Sequence, residues 1–423
     1  MKEVLASHRI ERDELLKRAY IPRAGLEKAV QCMSGGLIKV VIGPRRAGKS
    51  VFAMQMLSRA CGADFAYVNF DDERLRSPMD LDDLLAAMIQ VYGPGRTVLF
   101  DEIQNVAGWE LFVNRLQRRG YNLVLTGSNA HLLSRELSTH LTGRYREFRL
   151  LPFSFAEVLK ARDVAVDDRL VARERQGLLL KHLDDYLNAG GFPEVVVGGA
   201  DADSYLATLF DSILLKDVVQ RHNVRYAAKL RDVGRWLVGN AAREYTCSSL
   251  KKSLAFRSVH TVGKYVAYLV EAYLFLSVER YSPKAKLRMT APRKIYGYDT
   301  GMVNAVRFKA GRDAGRLLEN AVAVELYRRG AEFYAYKSTA GKETDFAVKS
   351  ANREIQLIQV CYDLAEAKTR SREVQSLMTA GRELGVGNGL VLTWDEEGTE
   401  TVSGFGIRLL PAWKWLLGLE GDG

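Results

Sequence analysis

Short apolar runs alternate with helix-like segments through the first third of the chain. The β-branched run Ile38–Ile42 is typical of a buried strand. After a glycine-bearing turn, the methionine-rich segment Val51–Leu57 has helical spacing. Further strand-like runs follow at residues 65–70, 97–101 and 122–126. Strands that alternate with helices indicate an α/β fold on a parallel sheet, and we predict that fold for residues 1–155.

The pattern changes after Phe155, where charged, helix-like segments replace the strands. One such segment includes Leu178–Leu187 and ends at the turn 190–194, Gly-Gly-Phe-Pro-Glu. Glycine pairs and proline interrupt helices. Another helix is predicted from Tyr205 to about Arg221. Residues 156–225 are therefore expected to form a helical segment.

Residues 226–304 combine three predicted helices with two strand-like stretches. Apolar residues recur at helical spacing from Ala227 to Ala241, a short helix follows at 248–255, and a third begins at Ser258, a favourable N-cap. The strand-like stretches are Phe275–Tyr281 and Arg293–Tyr298. This order is typical of a winged helix-turn-helix. Its third helix should turn an apolar stripe inward, consisting of Val259, Val262, Val266, Leu269 and Tyr273.

The last part of the chain, residues 305–423, has a second α/β pattern. An amphipathic helix is predicted at Arg316–Leu326, and a basic helix near Lys368–Leu384. The predicted strands are Glu332–Lys337, Glu343–Val348, Ile355–Tyr362 and Gly389–Trp394.

The composition is that of a globular protein. Of the 423 residues 47% are hydrophobic and 26% charged, and the formal net charge is +10. No uninterrupted apolar stretch of about 18 residues occurs, and the N-terminus lacks an apolar leader core. The four cysteines have neither metal-ligand nor disulfide spacing. From the length we expect about two or three domains, and we expect a cytoplasmic protein without a membrane partner. The positive charge permits nucleic acid binding but does not require it.

A phosphate-binding loop follows the first strand. The motif is Gly43-x-x-x-x-Gly48-Lys49-Ser50, between a strand and a helix. Glycines let backbone N–H groups curl round a polyphosphate at a helix start. Lys49 would reach the β- and γ-phosphates, and Ser50 would hold Mg²⁺. The sequence predicts that ATP and Mg²⁺ bind the loop Gly43, Pro44, Arg45, Arg46, Ala47, Gly48, Lys49 and Ser50.

Acids and polar residues at the ends of later strands complete this predicted site. Asp101 and Glu102 end the strand 97–101. Asp101 would orient Mg²⁺, and Glu102 would polarise the attacking water. Asn129, or Ser128, is a candidate to hold that water, because ligands bind at the carboxyl ends of parallel strands. Arg144 is a candidate arginine finger for a neighbouring subunit, and Arg135 and Arg146 are the alternatives.

The predicted winged helix carries a local excess of basic residues. Its third helix should present His260, Lys264 and Tyr268 outward. Other cations nearby fit contacts to DNA phosphates: Lys251, Lys252 and Arg257, and, in the loop between the strands, Lys284, Lys286, Arg288 and Arg293. A protein-docking or purely structural winged helix is the alternative.

The stretches GPRRAGKS, LFDEIQNV, TGSN and LTGRY…LLPFSFAEVL occur in this order. With them the chain resembles the prokaryotic AAA-type ATPases of the AAA+ superfamily. The resemblance implies a Walker A loop, a Walker B pair, a sensor at Asn129 and oligomeric action. It also implies a helical lid whose basic residue contacts nucleotide, either Arg221 or Lys216. The expected organisation is an ATPase core at 1–155, a lid at 156–225, a winged helix at 226–304 and a nuclease-like domain at 305–423.

That last domain resembles the PD-(D/E)xK nucleases of restriction-endonuclease-like fold. By motif position Glu319 and Asp345 match the metal-binding acids, and Gln359 takes the place of the second acid. Cys361 stands where the family has a lysine, and Lys342 or Lys368 could substitute for it. Both metal-dependent cleavage and a degenerate module used for binding or assembly are therefore open.

Three functions remain in view. The first is an oligomeric, DNA-associated ATPase that acts as a motor or switch, with branched or junction DNA as one candidate substrate. The second is a nucleotide-controlled assembly switch with protein partners and an inactive nuclease-like domain. The third is an ATP-responsive, sequence-specific DNA-binding regulator. Base-reading Asn or Gln residues are outnumbered by backbone-type cations on the exposed helix face, which disfavours the third.

Overall fold

The computed structural model describes residues 1–75, 80–128, 143–166, 173–308, 313–350 and 352–420. These fall into two compact units. The first contains Met1–Pro152 with Glu271–Tyr273, and the second contains Phe153–Val270 and Leu274–Gly423. Within the described ranges, every helix is too short or too polar to cross a membrane.

The first unit is built on a five-stranded sheet in which all strands are parallel. The strand with the β-branched run lies inside the sheet, and its five residues are all buried. Burial on both faces explains its continuous apolar sequence. The predicted parallel α/β core is confirmed. In spatial order the strands are Ala66–Asn69, Thr97–Asp101, Asn122–Gly127, Ile38–Ile42 and Tyr145–Arg149.

Helices flank this sheet and close its core. Phe52, Met56 and Leu57 project from one helix onto Val41 and Leu99 of the strands. Glycines with positive φ mark the ends of that helix, which begins after Gly48 and ends before Gly62. The helices of this unit are Lys2–Lys17, Leu26–Gln31, Lys49–Cys61, Leu81–Tyr92 and Trp109–Arg118, with 3₁₀ turns at Cys32–Ser34, Glu73–Leu75 and Ile103–Asn105.

The second unit begins with helices. Ser154 opens the first of them with a capping box, in which its side chain and that of Glu157 each accept the other's backbone N–H. The predicted break is present: residues 190–192 separate two helices, and the second helix begins at Pro193. The helices up to residue 271 are Phe155–Ala161, Arg173–Ala189, Pro193–Val196, Ala202–Ile213 with its π-helical continuation Leu214–Gln220, Ala227–Gly239, Cys247–Ser253 and Val259–Glu271.

A three-stranded antiparallel sheet accompanies the last three of these helices. Arg293–Gly297 is its central strand, flanked by Arg243–Tyr245 and Phe275–Val278. The basic connection before the central strand contains a further helix, Ala285–Thr290. The inward orientation predicted for Val259 is wrong, because 40% of this residue is exposed. Tyr273 is buried but lies beyond the end of the helix, at a φ of 54°.

A six-stranded mixed sheet forms the rest of the second unit. Its spatial order is Gly398–Val402, Phe405–Pro411, Asn388–Thr393, Ile355–Val360, Glu343–Lys349 and Glu332–Lys337. The pairing between the last two strands is irregular between Thr344 and Ala347, and such a bulge changes the direction of nearby side chains. The associated helices are Thr300–Val306, Ala314–Arg328, Ala367–Leu384 and Ala412–Leu416.

Candidate functional site

The loop after the first strand has the backbone of a close-fitting turn. Gly43 has a φ of 153°, and a Cβ there would overlap the Leu150 carbonyl oxygen. Gly48 has a φ of 92° and is the N-cap of Lys49–Cys61. Arg23 braces the loop from outside, since its guanidinium donates to the Ala47 carbonyl at 2.9 Å. The loop therefore places the first backbone N–H groups of a helix beside the carboxyl ends of the strands.

Lys49 lies inside this site rather than in solvent. Only 4% of it is exposed. Its Nζ donates to the Pro44 carbonyl oxygen at 3.2 Å and lies 3.4 Å from Glu102 Oε1. The Gln104 amide also donates to the Glu102 carboxylate. The predicted Walker lysine and the predicted water-polarising acid thus form a direct ion pair.

Asp101 is held by hydroxyl groups from two sides. Ser50 Oγ donates to Asp101 Oδ1 at 2.9 Å, and Thr126 Oγ1 donates to the same oxygen. Thr126 Oγ1 in turn accepts the backbone N–H of Glu102 at 3.0 Å. Glu102 has a left-handed φ of 52°, which turns its side chain away from the direction of the strand. This hydrogen-bonded group brings the loop and both acids together.

The pKa values of these two acids shift in opposite directions. It raises the pKa of Asp101 to about 6, and the adjacent Glu102 carboxylate adds to that rise. Burial also acts to raise the pKa of Glu102, but the Lys49 ammonium and the Gln104 amide outweigh it and leave that pKa below its ordinary value. Glu102 therefore stays ionised to a lower pH than Asp101 does.

The donor set fits a nucleoside triphosphate with Mg²⁺. The loop N–H groups and Lys49 would hold phosphate oxygens, while Ser50 and Asp101 offer hard oxygen ligands for Mg²⁺. Ser128 Oγ is buried at the carboxyl end of a strand and has no hydrogen-bond partner among the residues that the structure describes. A bound ion of this kind would supply charge stabilisation at the phosphates, and the protein supplies the positions of the groups around it.

The other predicted site residues of this unit are more scattered. Asn129 and Arg135 lie outside the described residues. Arg144 and Arg146 are exposed at the edge strand, where Arg144 donates to Asn114 Oδ1 at 3.0 Å. Arg45 pairs with Asp71 at 3.3 Å. Their roles stay predictions.

Three contributors were missed in the sequence: Thr126, Arg23 and Gln104. Thr126 lies in the TGSN stretch and ends a strand next to the acids, so its position was a usable signal. Arg23 and Gln104 act through contacts that no local pattern shows.

The helices of the second unit carry the predicted DNA-binding cations. Lys252, Arg257, His260 and Lys264 are exposed, and Lys251 is half-buried. Within Cys247–Ser253 and Val259–Glu271 the acidic residue is Glu271, at the far end. Lys286 is exposed and Arg288 half-buried. Tyr268 differs from the expected outward position, because its ring stacks on His222 with centroids 3.8 Å apart.

The two acids predicted for the nuclease-like site lie close together, but both of them contact the same lysine. Lys294 Nζ lies 2.9 Å from both Glu319 Oε1 and Asp345 Oδ1. Gln359 also lies there: its Oε1 accepts the Asp345 N–H at 3.2 Å and its Nε2 donates to Glu373 Oε2 at 2.6 Å. Among the described residues, no group of three or more His, Cys, Asp or Glu is arranged to hold a metal ion. The predicted metal site at Glu319, Asp345 and Gln359 does not fit this arrangement.

The substitutes considered for the family lysine lie elsewhere. Lys342 Nζ donates to Gln375 Oε1 at 2.7 Å, and Lys368 lines the neighbouring cavity of about 630 Å³. Cys361 is buried, which raises the pKa of its thiol to about 11, so it remains a neutral thiol. Of the lid candidates, Lys216 is exposed and Arg221 half-buried.

Two segments of the chain match known protein families. Residues 36–159 match a family described as an AAA domain, and residues 180–313 match a domain of unknown function, DUF8612. The solved structure of AMPPCP-bound DnaA from Aquifex aeolicus is 14% identical, with a TM-score of 0.29 over 60% of this chain and 90% of that one. A TM-score this low does not establish a shared fold.

Two relatives extend over most of the sequence. The uncharacterized protein MJ1544 of Methanocaldococcus jannaschii is 34% identical over 397 residues, which cover 90% of this chain and 88% of that protein. An uncharacterized protein of Haemophilus influenzae is 34% identical over 368 residues, 83% of this chain and 89% of its own. The chain belongs to the same family as these two proteins, and its residues 36–159 match the AAA domain family.

Proposed function

We propose that this protein binds and hydrolyses ATP with Mg²⁺, and that it couples this hydrolysis to DNA as an oligomeric motor or switch. The observation that carries the ATPase part is the linked group of Ser50, Asp101, Glu102 and Lys49, with Ser50 Oγ 2.9 Å from Asp101 Oδ1 and Lys49 Nζ 3.4 Å from Glu102 Oε1. A hydroxyl, two acids and an ammonium at the end of a parallel sheet are what phosphoryl transfer to water requires.

The chain's own groups have separate parts in this reaction. Lys49 and the loop N–H groups bind and orient the phosphates. Glu102, held ionised by Lys49, accepts a proton from the attacking water. When phosphate oxygens draw Lys49 away from Glu102, the carboxylate becomes free to do so. Arg144 would add positive charge to a neighbouring subunit's site.

The DNA part depends on the exposed cations of the second unit. Lys252, Arg257 and Lys264 lie on a pair of helices and their connecting turn, with few acids near them. Such a surface favours contacts with phosphates over the reading of base edges. We therefore favour backbone binding over sequence-specific regulation. An assembly switch with protein partners is the second candidate, because the same exposed helices could dock a protein.

The decisive experiment measures ATP turnover with and without DNA. Single-stranded, duplex and four-way junction DNA are compared at two salt concentrations, and Lys49→Ala gives the background. We expect turnover that Lys49→Ala abolishes and that one DNA form stimulates, less so at high salt. Turnover equal in the wild type and Lys49→Ala would refute the ATPase. ATP turnover that none of the three DNA forms changes would favour the assembly switch.

A further inference from the structure

Lys294 is the cation of a buried carboxylate cluster in the second unit. Its Nζ lies 2.9 Å from Glu319 Oε1 and 2.9 Å from Asp345 Oδ1, and its side chain is 6% exposed. Tyr296, two residues along the same strand, donates its hydroxyl to Glu319 Oε1 at 2.7 Å. Glu319 and Asp345, which lie on different elements, therefore both contact the ammonium group of Lys294, which lies on a third element.

Two other oxygen atoms near this ammonium also have protein partners. Asp345 Oδ2 accepts the Val360 N–H at 3.0 Å. Gln359, which takes the position of an acid, binds the Asp345 N–H with its oxygen and Glu373 with its nitrogen. A divalent cation needs several oxygen ligands that are free of protein donors. It would also be repelled by the buried ammonium of Lys294.

Electrostatics favour the charged form of Lys294. Both acids lie 2.9 Å from the Lys294 ammonium, and opposite charge at that distance favours the charged form of a buried lysine. Removal of a single partner from such a buried group leaves an uncompensated charge. The lysine is therefore held in place by the same two acids that it neutralises.

We propose that Lys294 takes the place of a divalent metal ion between Glu319 and Asp345. The cluster serves as an ion-paired joint between the strand Arg293–Gly297 and the six-stranded sheet. In the native protein the acids consequently bind no Mg²⁺ or Mn²⁺.

Removal of the ammonium should convert the joint into a metal site. Asp345 and Gln359 line the cavity of about 630 Å³, so hydrated ions can reach Asp345 from that side. Without Lys294 the two carboxylates would face each other uncompensated, and a divalent cation relieves that repulsion. A lysine-to-methionine change keeps much of the side-chain volume and removes the charge.

The test is a Mn²⁺ titration of the nucleotide-free full chain, by calorimetry and by thermal unfolding. Wild type should show no Mn²⁺ binding that depends on Glu319. Lys294→Met should gain a site, seen as a rise of a few degrees in Tm at a Mn²⁺ concentration about 100-fold above Kd. The double variant Lys294→Met/Glu319→Gln should lose that site again. Lys349→Met is the matched control, since Lys349 pairs at the surface with the single acid Glu332.

Two results would overturn the proposal. One is Mn²⁺ binding by wild type that Glu319→Gln abolishes, which would make Lys294 a neighbour of a metal rather than its replacement. The other is a folded Lys294→Met chain that gains no Mn²⁺ site. Should Lys294→Met not fold, the comparison of wild type with Glu319→Gln still decides: Glu319-dependent Mn²⁺ binding refutes the proposal, and its absence supports it.

Discussion

Lys49 Nζ and Glu102 Oε1 lie 3.4 Å apart in the candidate nucleotide site, so each neutralises the other. The pair holds Glu102 ionised and keeps the lysine at the loop. Phosphate groups compete for the same ammonium. We therefore expect Glu102 to become available as a general base when phosphate binds.

Replacement of that base should separate binding from turnover. Glu102→Gln keeps the shape of the side chain but cannot accept the proton, and a positioned general base contributes about 10²–10⁴-fold to rate. We expect kcat for ATP to fall by that factor while ATP affinity is retained. Turnover assays and fluorescent-nucleotide titration measure the two effects. Glu110→Gln on the nearby helix is the control, and a Glu102→Gln enzyme within about threefold of wild type would contradict the assigned role.

Arg144 should act in a neighbour's site. It is exposed at the edge strand, and its side-chain contact is with Asn114 at 3.0 Å. Arg144→Ala should lower kcat about 10³-fold or more, as expected for an arginine finger. Mixing it with Lys49→Ala should restore activity at about one quarter of the interfaces in a random oligomer, because some sites then receive both residues.

The mixing experiment has its own control. Arg118→Ala, at the end of Trp109–Arg118, removes another exposed arginine of the same unit and should leave turnover unchanged. If the mixture of Arg144→Ala and Lys49→Ala is as inactive as each variant alone, Arg144 does not act between subunits.

The basic helices should contribute salt-dependent DNA affinity. Removal of the charges at Lys251, Lys252 and Lys264 should flatten the slope of log K against log salt by up to about 0.9 for each phosphate of duplex DNA that is no longer neutralised. Fluorescence anisotropy at several salt concentrations measures this slope. Alanine at three exposed lysines of the first unit, Lys2, Lys17 and Lys28, is the charge-matched control. Equal slopes for the two triple variants would remove the DNA assignment from these helices.

Asp299 should be essential to the second unit's stability. Its Oδ2 accepts the Gly191 N–H at 2.7 Å and its Oδ1 accepts the Met302 N–H at 2.8 Å, with the residue buried. Asparagine has only one oxygen, so one buried N–H would face an NH₂ group. We expect Asp299→Asn to lower the free energy of unfolding by about 1–3 kcal/mol.

A second N-cap aspartate provides the comparison. Asp201 is exposed and accepts the Ser204 N–H at 2.9 Å through one oxygen, and asparagine caps a helix about as well as aspartate. Asp201→Asn should therefore change stability by a few tenths of a kcal/mol. Urea unfolding curves of both variants measure the difference, and equal losses would contradict the two-donor explanation.

The sequence predicted the core because its signals are local. The run Ile38–Ile42, the glycines of the loop and the Asp101–Glu102 pair each specify their own conformation, and the structure brings them together. The hairpin Gly398–Val402 with Phe405–Pro411 was missed, although Ser403 and Gly404, at φ values of 49° and 81°, form the kind of two-residue turn that a Ser-Gly pair indicates. Its first strand is largely polar, so the sequence there lacks the apolar residues that predict a strand.

The lysine of the acid cluster could not be found in this way. Lys294 lies in the predicted strand Arg293–Tyr298, where no motif singled it out, and its two acidic partners, Glu319 and Asp345, approach it from other elements. The bulge beside Asp345 is likewise a property of strand pairing. Contacts of this kind join three segments that are distant in sequence, so no pattern within a single segment can predict them.

The joint at Lys294 also limits how the chain can be divided. A second link lies close to it, where Tyr281 N–H donates to the Ala335 carbonyl at 2.7 Å and Ala335 N–H donates to the Glu279 carbonyl at 3.0 Å. A fragment that stops at residue 304 would keep the lysine and lose both of its acids, and it would leave these backbone groups unpaired. We therefore expect residues 226–304 and 305–423 to fold as one module, so that neither segment could be exchanged between proteins without the other.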